Sequence, residues 1–491
     1  MRPRCRWKVL LSGSSRTRSA RRATWRGGTT LRFAAHSTQW WELQLEADLP
    51  TTLPHAGGDH HSRRVAFATL GCKLNQHETD SIATAFSRAG YRIVDFNDSA
   101  DAYVLNTCTV TNRADRKSRN LAGRALRTAP SHAIVVVTGC YVDSHRDELE
   151  SDGRTIVVAN EDKHAVFELV DAHFRGEVAR PHGSVFDFDT PDQLFHTRTT
   201  IKVQDGCDNF CTFCIIPAVR GRAQSRPVDA VESSVAAAVD TGAREVVLTG
   251  VNMSRYAAAG VDFTGLVERV LAVPGDFRVR ISSLEPDRLT DRFFALFSDP
   301  KLAPHLHLCL QSGSDRVLLA MRRQYTFDEY VRAAQSLRAI DPLFNLTTDI
   351  IVGFPGETDA DFQMTLDAID RLCFGHVHTF IYSVRRGTRA ERMPGHLPAS
   401  VATERSARVR QHADRAKRSY RSSLVGLRQR LLVERVDGVQ DRVRLTGLGQ
   451  HYVPVRVDGL SGDWHANRFV DVAIDSIDSG DDPALLASPI P

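Results

Sequence analysis

Three cysteines stand close together in the middle of the chain, in a Cys-x3-Cys-x2-Cys loop. They are Cys207, Cys211 and Cys214, within the run Gly-Cys-Asp-Asn-Phe-Cys-Thr-Phe-Cys. Three thiolates at this spacing can ligate three irons of a 4Fe–4S cube, whereas a closed electron-transfer cluster needs a fourth cysteine. The remaining iron would be open to a small molecule that binds through an amine and a carboxylate. The alternative is a zinc site, although such sites favour paired Cys-x2-Cys or added histidine ligands.

A second set of three cysteines lies nearer the amino terminus. Cys72, Cys108 and Cys140 are 36 and 32 residues apart, a spacing that alone is weak evidence for a metal site. Each one follows a predicted strand, and ligands bind outside the carboxyl ends of the strands in open α/β sheets. The context favours a second three-cysteine cluster, and the alternative is three unrelated buried cysteines.

The cysteines depend for their positions on strands and helices that alternate from residue 65 onward. In the first unit, at 63–165, apolar runs predict strands at 65–69, 101–105, 133–137 and 155–159, and helices at 76–89 and 112–127. Short apolar strands between helices predict an open parallel α/β sheet.

After a predicted linker at 166–195, a second βα series fills a predicted core at 196–425. Its strands are predicted at 200–204, 245–248, 277–281, 305–310, 346–351 and 376–382, with helices between them, for example at 228–240 and 359–371. Six βα units are too few for a closed eight-fold barrel. They predict an open (βα)6 partial TIM barrel, with the cysteine loop after its first strand.

The carboxyl-terminal part predicts a small all-β module at 426–480. A basic segment at 404–430, predicted as a helix, precedes β-type runs at 431–436, 442–445, 452–457 and 469–474. Turns rich in Gly and Asp separate these runs, which is typical of a small β-barrel.

The composition is typical of a globular, multidomain protein. A chain of 491 residues with 42% hydrophobic and 25% charged residues predicts two to four globular domains. Nine cysteines, an odd number, favour a reducing compartment and a cytoplasmic protein over a disulfide scaffold. No apolar run reaches the ~18 to 20 residues of a membrane span.

Residues 1–62 predict a basic disordered extension without a catalytic role. They hold ten Lys or Arg against four Asp or Glu, so they contribute +6 to a net charge of +4. The alternatives are an organelle transit peptide and a misassigned start codon. Because the remaining chain is slightly acidic, any RNA-binding surface must come from local patches.

The segments around the cysteines carry a specific resemblance. Thr69-Leu-Gly-Cys-Lys-Leu-Asn-Gln76, Asn106-Thr-Cys-Thr-Val-Thr111 and Thr138-Gly-Cys140 resemble the three signatures of the methylthiotransferase amino-terminal domain. The central loop resembles that of radical SAM enzymes. The order of all three units, over about residues 64–475, is similar to the radical SAM methylthiotransferase family, whose terminal module is an OB-like, RNA-binding TRAM domain.

Within that family, Gly-Cys-Lys-Leu-Asn-Gln with Asn-Thr-Cys-Thr-Val-Thr is similar to the MtaB type, although His77 stands where that type more often has an aromatic residue. The resemblance implies a tRNA-modifying enzyme that inserts a methylthio group at C2 of N6-threonylcarbamoyladenosine, next to the anticodon. It implies S-adenosylmethionine and two 4Fe–4S clusters, one on Cys72, Cys108 and Cys140 and the S-adenosylmethionine-binding one on Cys207, Cys211 and Cys214. It also implies candidate S-adenosylmethionine contacts at Phe213, Thr249, Gly250, Asn252, Ser283, Glu285, Gln311 and Asp349.

The implied partners are the tRNA anticodon stem-loop and a reductant such as flavodoxin or ferredoxin. The sulfur donor stays open, no membrane is expected, and a monomer is expected. The helix at 112–127, the segment at 404–430 and the residues Arg442, Arg444, His451 and Tyr452 are candidate RNA contacts. Arg220 and Arg222 fit either an anion contact or a solvated loop face.

Two alternatives remain open. One is the same chemistry on N6-isopentenyladenosine of tRNA or on an Asp of a ribosomal protein. The other, from a different class, is a non-catalytic iron–sulfur protein that binds RNA.

Overall fold

The computed structural model describes residues 63–146, 149, 154–192, 196–439, 442–480 and 482–490. The extension predicted at 1–62 lies outside the described residues. The amino-terminal unit contains five strands, β1 Arg64–Thr69, β2 Arg92–Val94, β3 Ala102–Thr107, β4 Ile134–Gly139 and β5 Thr155–Val158. Its helices are α1 Lys73–Arg88, α2 Asn112–Thr128, α3 Cys140–His145 and α4 Val166–Arg175. The strands pair in parallel in the order β2-β1-β3-β4-β5, which confirms the open parallel α/β sheet.

The two central strands of this sheet are covered on both faces. Every residue of β3 and β4 is buried, as expected for parallel strands packed between helices. The register pairs Thr69 with Asn106 and Thr107 with Gly139, so β1, β3 and β4 end at one edge. Gly139 has φ +100, and a Cβ there would lie 2.3 Å from the carbonyl oxygen of Thr107. Only glycine permits the turn that starts α3 at Cys140.

The first ten residues of the predicted linker form helix α4 instead. Val166 and Val170 are buried in the hydrophobic cluster that contains Val65 and Val104 of the sheet. Their i, i+4 spacing places both side chains on one helix face. The linker prediction was therefore wrong for 166–175, because this apolar stripe needs the sheet to cover it.

The central unit contains a curved parallel sheet wrapped by helices. Its strands are β6 Thr199–Lys202, β7 Gln204–Asp205, β8 Gln224–Ser225, β9 Glu245–Thr249, β10 Ala257–Ala258, β11 Val261–Asp262, β12 Arg278–Ile281, β13 Ser283–Leu284, β14 His305–Leu308, β15 Asn345–Val352 and β16 His376–Ile381. Its helices are α5 Ile216–Val219, α6 Val228–Asp240, α7 Phe263–Ala272, α8 Asp291–Ala295, α9 Asp315–Ala320, α10 Phe327–Ile340, α11 Asp359–Leu372 and α12 Ala399–Ser422.

The main strands of this unit follow one another around an open barrel. One parallel sheet has the order β12-β9-β6 and the next has the order β13-β14-β15-β16. Only Ser282 separates β12 from β13, so the two sheets continue into each other. The six βα units confirm the predicted partial barrel. Within the described residues, no helix combines the length and apolarity that a membrane span requires.

The carboxyl-terminal unit is a closed five-stranded barrel. Its strands are β17 Arg428–Val439, β18 Arg442–Leu448, β19 Pro454–Leu460, β20 Phe469–Ile477 and β21 Leu485–Pro489. They close in the order β17-β18-β19-β21-β20 around a small apolar core. The closing strand β21 lies after residue 480, where the sequence pattern placed the end of the module. Strand β21 has only five residues, and an alternating apolar pattern over so few residues is a weak sequence signal for a strand.

A buried ion network joins the amino-terminal sheet to the central partial barrel. Glu78 of α1 accepts from Lys163 Nζ at 2.6 Å, Lys202 Nζ at 3.0 Å and Arg220 Nη1 at 3.0 Å. Arg220 and Lys202 also contact Asp205, at 3.0 and 2.5 Å. All five side chains are less than a tenth exposed. Burial alone would raise the pKa of Glu78, but the three cations hold it well below its usual range.

His77, the departure from the subgroup pattern, lies at the same junction. Its Nδ1 donates to the carbonyl oxygen of Thr200 at 2.7 Å, and its ring packs edge-on against Phe188 at 6.0 Å. Burial first, and then Lys202, lowers the pKa of His77 to about 3. This neutral imidazole therefore ties α1 to the first barrel strand.

Replacing Arg220 tests whether the network holds the two units together. Arg220→Met leaves the buried Asp205 and Glu78 with fewer cations, and removing one partner of a buried pair costs about 3–5 kcal/mol. We expect hydrogen exchange to show increased opening of α1 and β6. The matched control is Arg222→Met, because that side chain is 73% exposed and pairs with Asp208 on the surface; its effect should stay within about 0.5 kcal/mol. Equal exchange in the two variants would contradict a connecting role.

The terminal barrel offers a second stability test. A Cβ at Gly447 of β18 would lie 1.9 Å from the carbonyl oxygen of Leu432, whereas one at Gly438 of β17 would meet no atom within 4 Å. Gly447→Ala should therefore push β17 and β18 apart, and overpacking of this kind costs about 1–3 kcal/mol. Gly438→Ala is the control. Amide exchange in β17 and β18 should rise only in the first variant, and similar rates in both would refute this steric account.

Candidate functional site

The amino-terminal cysteines converge at one edge of the first sheet. Cys72 follows β1, Cys108 follows β3 and Cys140 begins α3. Burial, and then the nearby Cys140 and Cys72, raise the pKa of Cys108 to about 12. Cys72 is open to solvent, yet surrounding protein atoms raise the pKa of its thiol, and Arg220 opposes that shift. The three thiols are thus close enough to interact electrostatically.

The central cysteines form a second group at the end of the first barrel strands. Cys207 Sγ accepts from the backbone N–H of Asn209 at 3.4 Å, and Cys211 Sγ accepts from Arg323 Nη1 at 3.1 Å. Burial raises the pKa of Cys214 to about 12, and the neighbouring Cys211 and Cys207 add to the effect.

Gly206 sets the start of this loop. It has φ +66, and a Cβ there would lie 2.0 Å from the carbonyl oxygen of Arg222. The close approach of two backbone segments therefore requires glycine immediately before the first cysteine of the loop.

Each group offers three soft thiolate ligands. A tetrahedral zinc with Zn–S bonds of about 2.3 Å draws its thiolates to roughly 3.8 Å from one another. Among the described residues, the group of three ligand atoms that lies within 4.8 Å is His307, Cys309 and Asp349, and neither cysteine group meets that limit. Three thiolates are also the ligand set that leaves one iron of a 4Fe–4S cube open. Iron coordination would also favour the thiolate form against the raised pKa values.

Two of the predicted S-adenosylmethionine contacts lie beside the central cysteines. Asn252 donates from Nδ2 to Cys207 Sγ at 3.5 Å, and its backbone N–H donates to Gln204 Oε1 at 2.7 Å. Glu285 pairs with Arg323, which also contacts Cys211. Sequence reasoning missed Arg323, because it lies in an irregular turn after α9 rather than at a strand end.

Two further candidates meet at β15. Gln311 has φ +67, and its backbone bonds to Asp349 O at 2.8 Å and to the N–H of Ile351 at 2.9 Å. Its Oε1 is buried without a hydrogen-bond partner. Asp349 Oδ1 lies 3.2 Å from His307 Nε2. Burial would raise the pKa of Asp349, but the effect of His307 opposes it, and the pKa is lowered.

The other four candidates contact residues of the scaffold or are exposed. Phe213 packs against the cluster of Met321 and Phe354. Thr249 is buried and accepts from Ser282 Oγ at 3.3 Å. Gly250 allows close packing, since a Cβ there would lie 2.9 Å from Met253 Cγ. Ser283 is exposed.

The predicted basic patches differ in how exposed their charged side chains are. On α2, Arg113, Arg116 and Arg127 are exposed. On α12, by contrast, the cations Arg405, Lys417 and Arg421 are buried in ion pairs with Glu357, Asp482 and Asp482, respectively. The basic composition of 404–430 therefore reflects structural pairing as well as surface charge, since Arg408, Arg410, Arg415 and Arg418 of α12 are exposed.

Two family models match the chain. The uncharacterized protein family UPF0004 matches residues 64–159, which include the amino-terminal cysteines. The radical SAM superfamily matches residues 201–369, which include the central loop. Among solved structures, the radical S-adenosylmethionine methyltransferase TsrM from Kitasatospora setae has a TM-score of 0.50 and 16% identity, and the likeness covers 65% of this chain and 75% of that one. This likeness shows the fold alone.

Curated relatives match over most of their length. Threonylcarbamoyladenosine tRNA methylthiotransferase MtaB of Thermotoga maritima is 36% identical, over 83% of this chain and 94% of the relative. The Bacillus subtilis protein of that name is 39% identical, over 73% and 82%. The tRNA-2-methylthio-N(6)-dimethylallyladenosine synthase of Cereibacter sphaeroides is 32% identical, over 82% and 94%. The family uses S-adenosylmethionine and 4Fe–4S clusters. The chain therefore belongs to the radical SAM methylthiotransferase family, and within it to the MtaB type.

Proposed function

We propose that the protein attaches a methylthio group to C2 of N6-threonylcarbamoyladenosine, next to the anticodon of tRNA. The observation that carries this proposal is the pair of three-cysteine groups, one on the first sheet and one on the barrel, in two units joined through Arg220. A purely structural cluster would have no use for an incomplete ligand set. Identity to threonylcarbamoyladenosine tRNA methylthiotransferases supports the threonylcarbamoyl substrate over the isopentenyl one, since those relatives reach 36–39% and the dimethylallyl type reaches 32–34%.

The modification needs chemistry that side chains lack. C2 of the purine bears an unactivated hydrogen, which no protein base can remove near neutral pH. When bound, S-adenosylmethionine and the clusters supply the radical and the sulfur that this position requires. The task left to the chain is to hold these groups, position the base and keep water out.

We assign the residues of the site on that basis. Cys207, Cys211 and Cys214 hold the S-adenosylmethionine-binding cluster, and Cys72, Cys108 and Cys140 hold the other. Asn252 and Arg323 donate hydrogen bonds to two of the central thiolates, which stabilises their charged form. Contacts to S-adenosylmethionine are assigned to Phe213, Thr249, Gly250, Asn252, Ser283, Glu285, Gln311 and Asp349.

The partners follow from the same proposal. Exposed cations of α2 bind phosphates of the anticodon stem-loop, which positions the RNA without reading its sequence. A flavodoxin or ferredoxin supplies electrons, and the protein acts as a monomer in the reducing cytoplasm. The proposed organisation is an amino-terminal domain that includes α4, the radical SAM core and a TRAM-type barrel that extends to β21.

Iron content tests the two-cluster assignment. Anaerobically reconstituted protein should hold about eight irons per chain, and Cys211→Ala and Cys108→Ala should each retain about four. Cys211→Ala should also abolish cleavage of S-adenosylmethionine, whereas Cys108→Ala should keep cleavage and lose sulfur insertion. Cys373→Ser is the control, because Cys373 follows α11 at the opposite end of the strands from the cysteine groups. About four irons in the unaltered protein would remove the second cluster.

Nucleoside mass spectrometry tests the substrate. In tRNA from a strain that lacks the gene, the methylthio form of threonylcarbamoyladenosine should disappear and the unmodified threonylcarbamoyl form should accumulate. The methylthio-isopentenyl nucleoside should keep its level and serves as the internal control. The reverse pattern would assign the protein to the isopentenyl substrate, and no change in either nucleoside would refute a role in tRNA methylthiolation.

A further inference from the structure

Lys73 occupies an unusual electrostatic position. It directly follows Cys72, and its Nζ lies 4.8 Å from the ring centre of Tyr452 in the terminal barrel. The side chain is half-buried, and among the described residues it forms no ion pair with a carboxylate. Lys73 therefore presents an available positive charge where all three structural units meet.

Tyr452 is fixed at this junction by its neighbours. Its backbone has φ +58, a strained conformation for a bulky residue. The adjacent His451 is buried, with Nε2 2.9 Å from Asp341 Oδ2, and its carbonyl oxygen accepts from Asn345 Nδ2 at 2.7 Å. His451 is thus a barrel contact rather than an exposed RNA ligand. The clamp holds the Tyr452 ring against the cations.

Cations outnumber carboxylates around the ring. Arg198 donates to the Tyr452 hydroxyl at 3.3 Å, and the guanidinium of Arg280 lies 4.6 Å from the ring centre. Glu434 pairs with Arg198, and Glu245 pairs with Arg280. Among the residues that the structure describes, Lys73 has no such carboxylate partner, and Glu245 is also shared with a further arginine, Arg278.

The pKa of Tyr452 agrees with this excess of positive charge. Burial alone would raise the pKa of its hydroxyl, but Lys73, Arg198 and Arg280 together lower it to about 7. A phenol that ionises so easily indicates a position that stabilises negative charge on oxygen. The neighbouring His305 ring lies 4.6 Å from Tyr452, and its buried Nδ1 has no hydrogen-bond partner.

We propose that Lys73, with Tyr452 and Arg198 beside it, binds the carboxylate of the threonylcarbamoyl group on the substrate base. This inference rests on the proposed function. The threonylcarbamoyl group ends in a carboxylate, whereas an isopentenyl group carries no charge. C2 and C6 belong to the same six-membered ring, so a contact to the N6 substituent belongs near the cysteines assigned to the sulfur chemistry. Lys73 is therefore a specificity-determining residue.

Two other anions could occupy the same position, and the test separates them. They are a backbone phosphate of the RNA and the carboxylate of S-adenosylmethionine. The probes are anticodon stem-loop RNAs that carry threonylcarbamoyladenosine, its methyl ester or unmodified adenosine. The ester keeps the shape of the side chain and removes its charge.

The experiment compares unaltered protein with Lys73→Met, Lys73→Arg and Arg116→Met, all as reconstituted full-length chains. Equilibrium RNA binding and kcat/KM for methylthiolation are measured for each RNA, together with KM for S-adenosylmethionine. The unaltered protein should prefer acid over ester by about tenfold or more, the strength of a charge-assisted hydrogen bond. Lys73→Met should abolish that preference and Lys73→Arg should keep it. Arg116→Met, which removes an exposed charge on α2, should weaken all RNAs alike.

Each contrary result has a distinct meaning. If Lys73→Met keeps the acid preference, or weakens all three RNAs equally, the carboxylate position is overturned, and the second pattern indicates a phosphate contact. A change confined to KM for S-adenosylmethionine overturns it in favour of the cofactor carboxylate. If the unaltered protein modifies no threonylcarbamoyl RNA, the proposed function itself fails, and the carboxylate position fails with it.

Discussion

The ionised carboxylate of Glu78 is the constraint on which the placement of both cysteine groups depends. A buried charge is tolerated only when it is paired and hydrogen-bonded. The partners of Glu78 come from both sides of a boundary, since Lys163 belongs to the amino-terminal unit and Lys202 and Arg220 belong to the barrel. Separating the two units would break the ion pairs that Glu78 forms with Lys202 and Arg220. Pairing across the boundary therefore fixes one sheet edge relative to the other.

The same network shapes the electrostatics of the first cysteine group. Lys163, Lys202 and Arg220 face two carboxylates, Glu78 and Asp205, so the network carries one net positive charge. Arg220 opposes the burial-driven rise in the pKa of Cys72. A nearby cation favours the thiolate, which is the form that ligates metal. One set of ion pairs thus positions the site and also biases its ligands toward the charged state.

Local patterns in the sequence predicted the scaffold well, because parallel strands and amphipathic helices have short periods. Helix α6 has the predicted bounds, and the cysteines after β1, β3 and β4 lie at the sheet edge that the strand pattern indicated. The missing features depend on contacts distant in sequence. Glu78 appears as an ordinary helix carboxylate until Arg220, 142 residues away, pairs with it. Arg323 has no periodic signature, and its importance appears only when the fold brings it to Cys211.

Besides the RNA-binding surface proposed for it, the terminal barrel contributes a fixed loop to this arrangement. Its loop is fixed to the core by His451 and Asn345, and by Arg280, which donates to Gln450 O at 3.4 Å. Phosphate contacts supply affinity that is nearly independent of base identity. Discrimination between modified adenosines must come from groups beside the base. Because the Tyr452 ring on the fixed loop lies 4.8 Å from Lys73 Nζ, the module proposed to bind RNA also contributes to the charged surroundings proposed for the substrate base. A freely tethered barrel could supply the first of these roles but not the second.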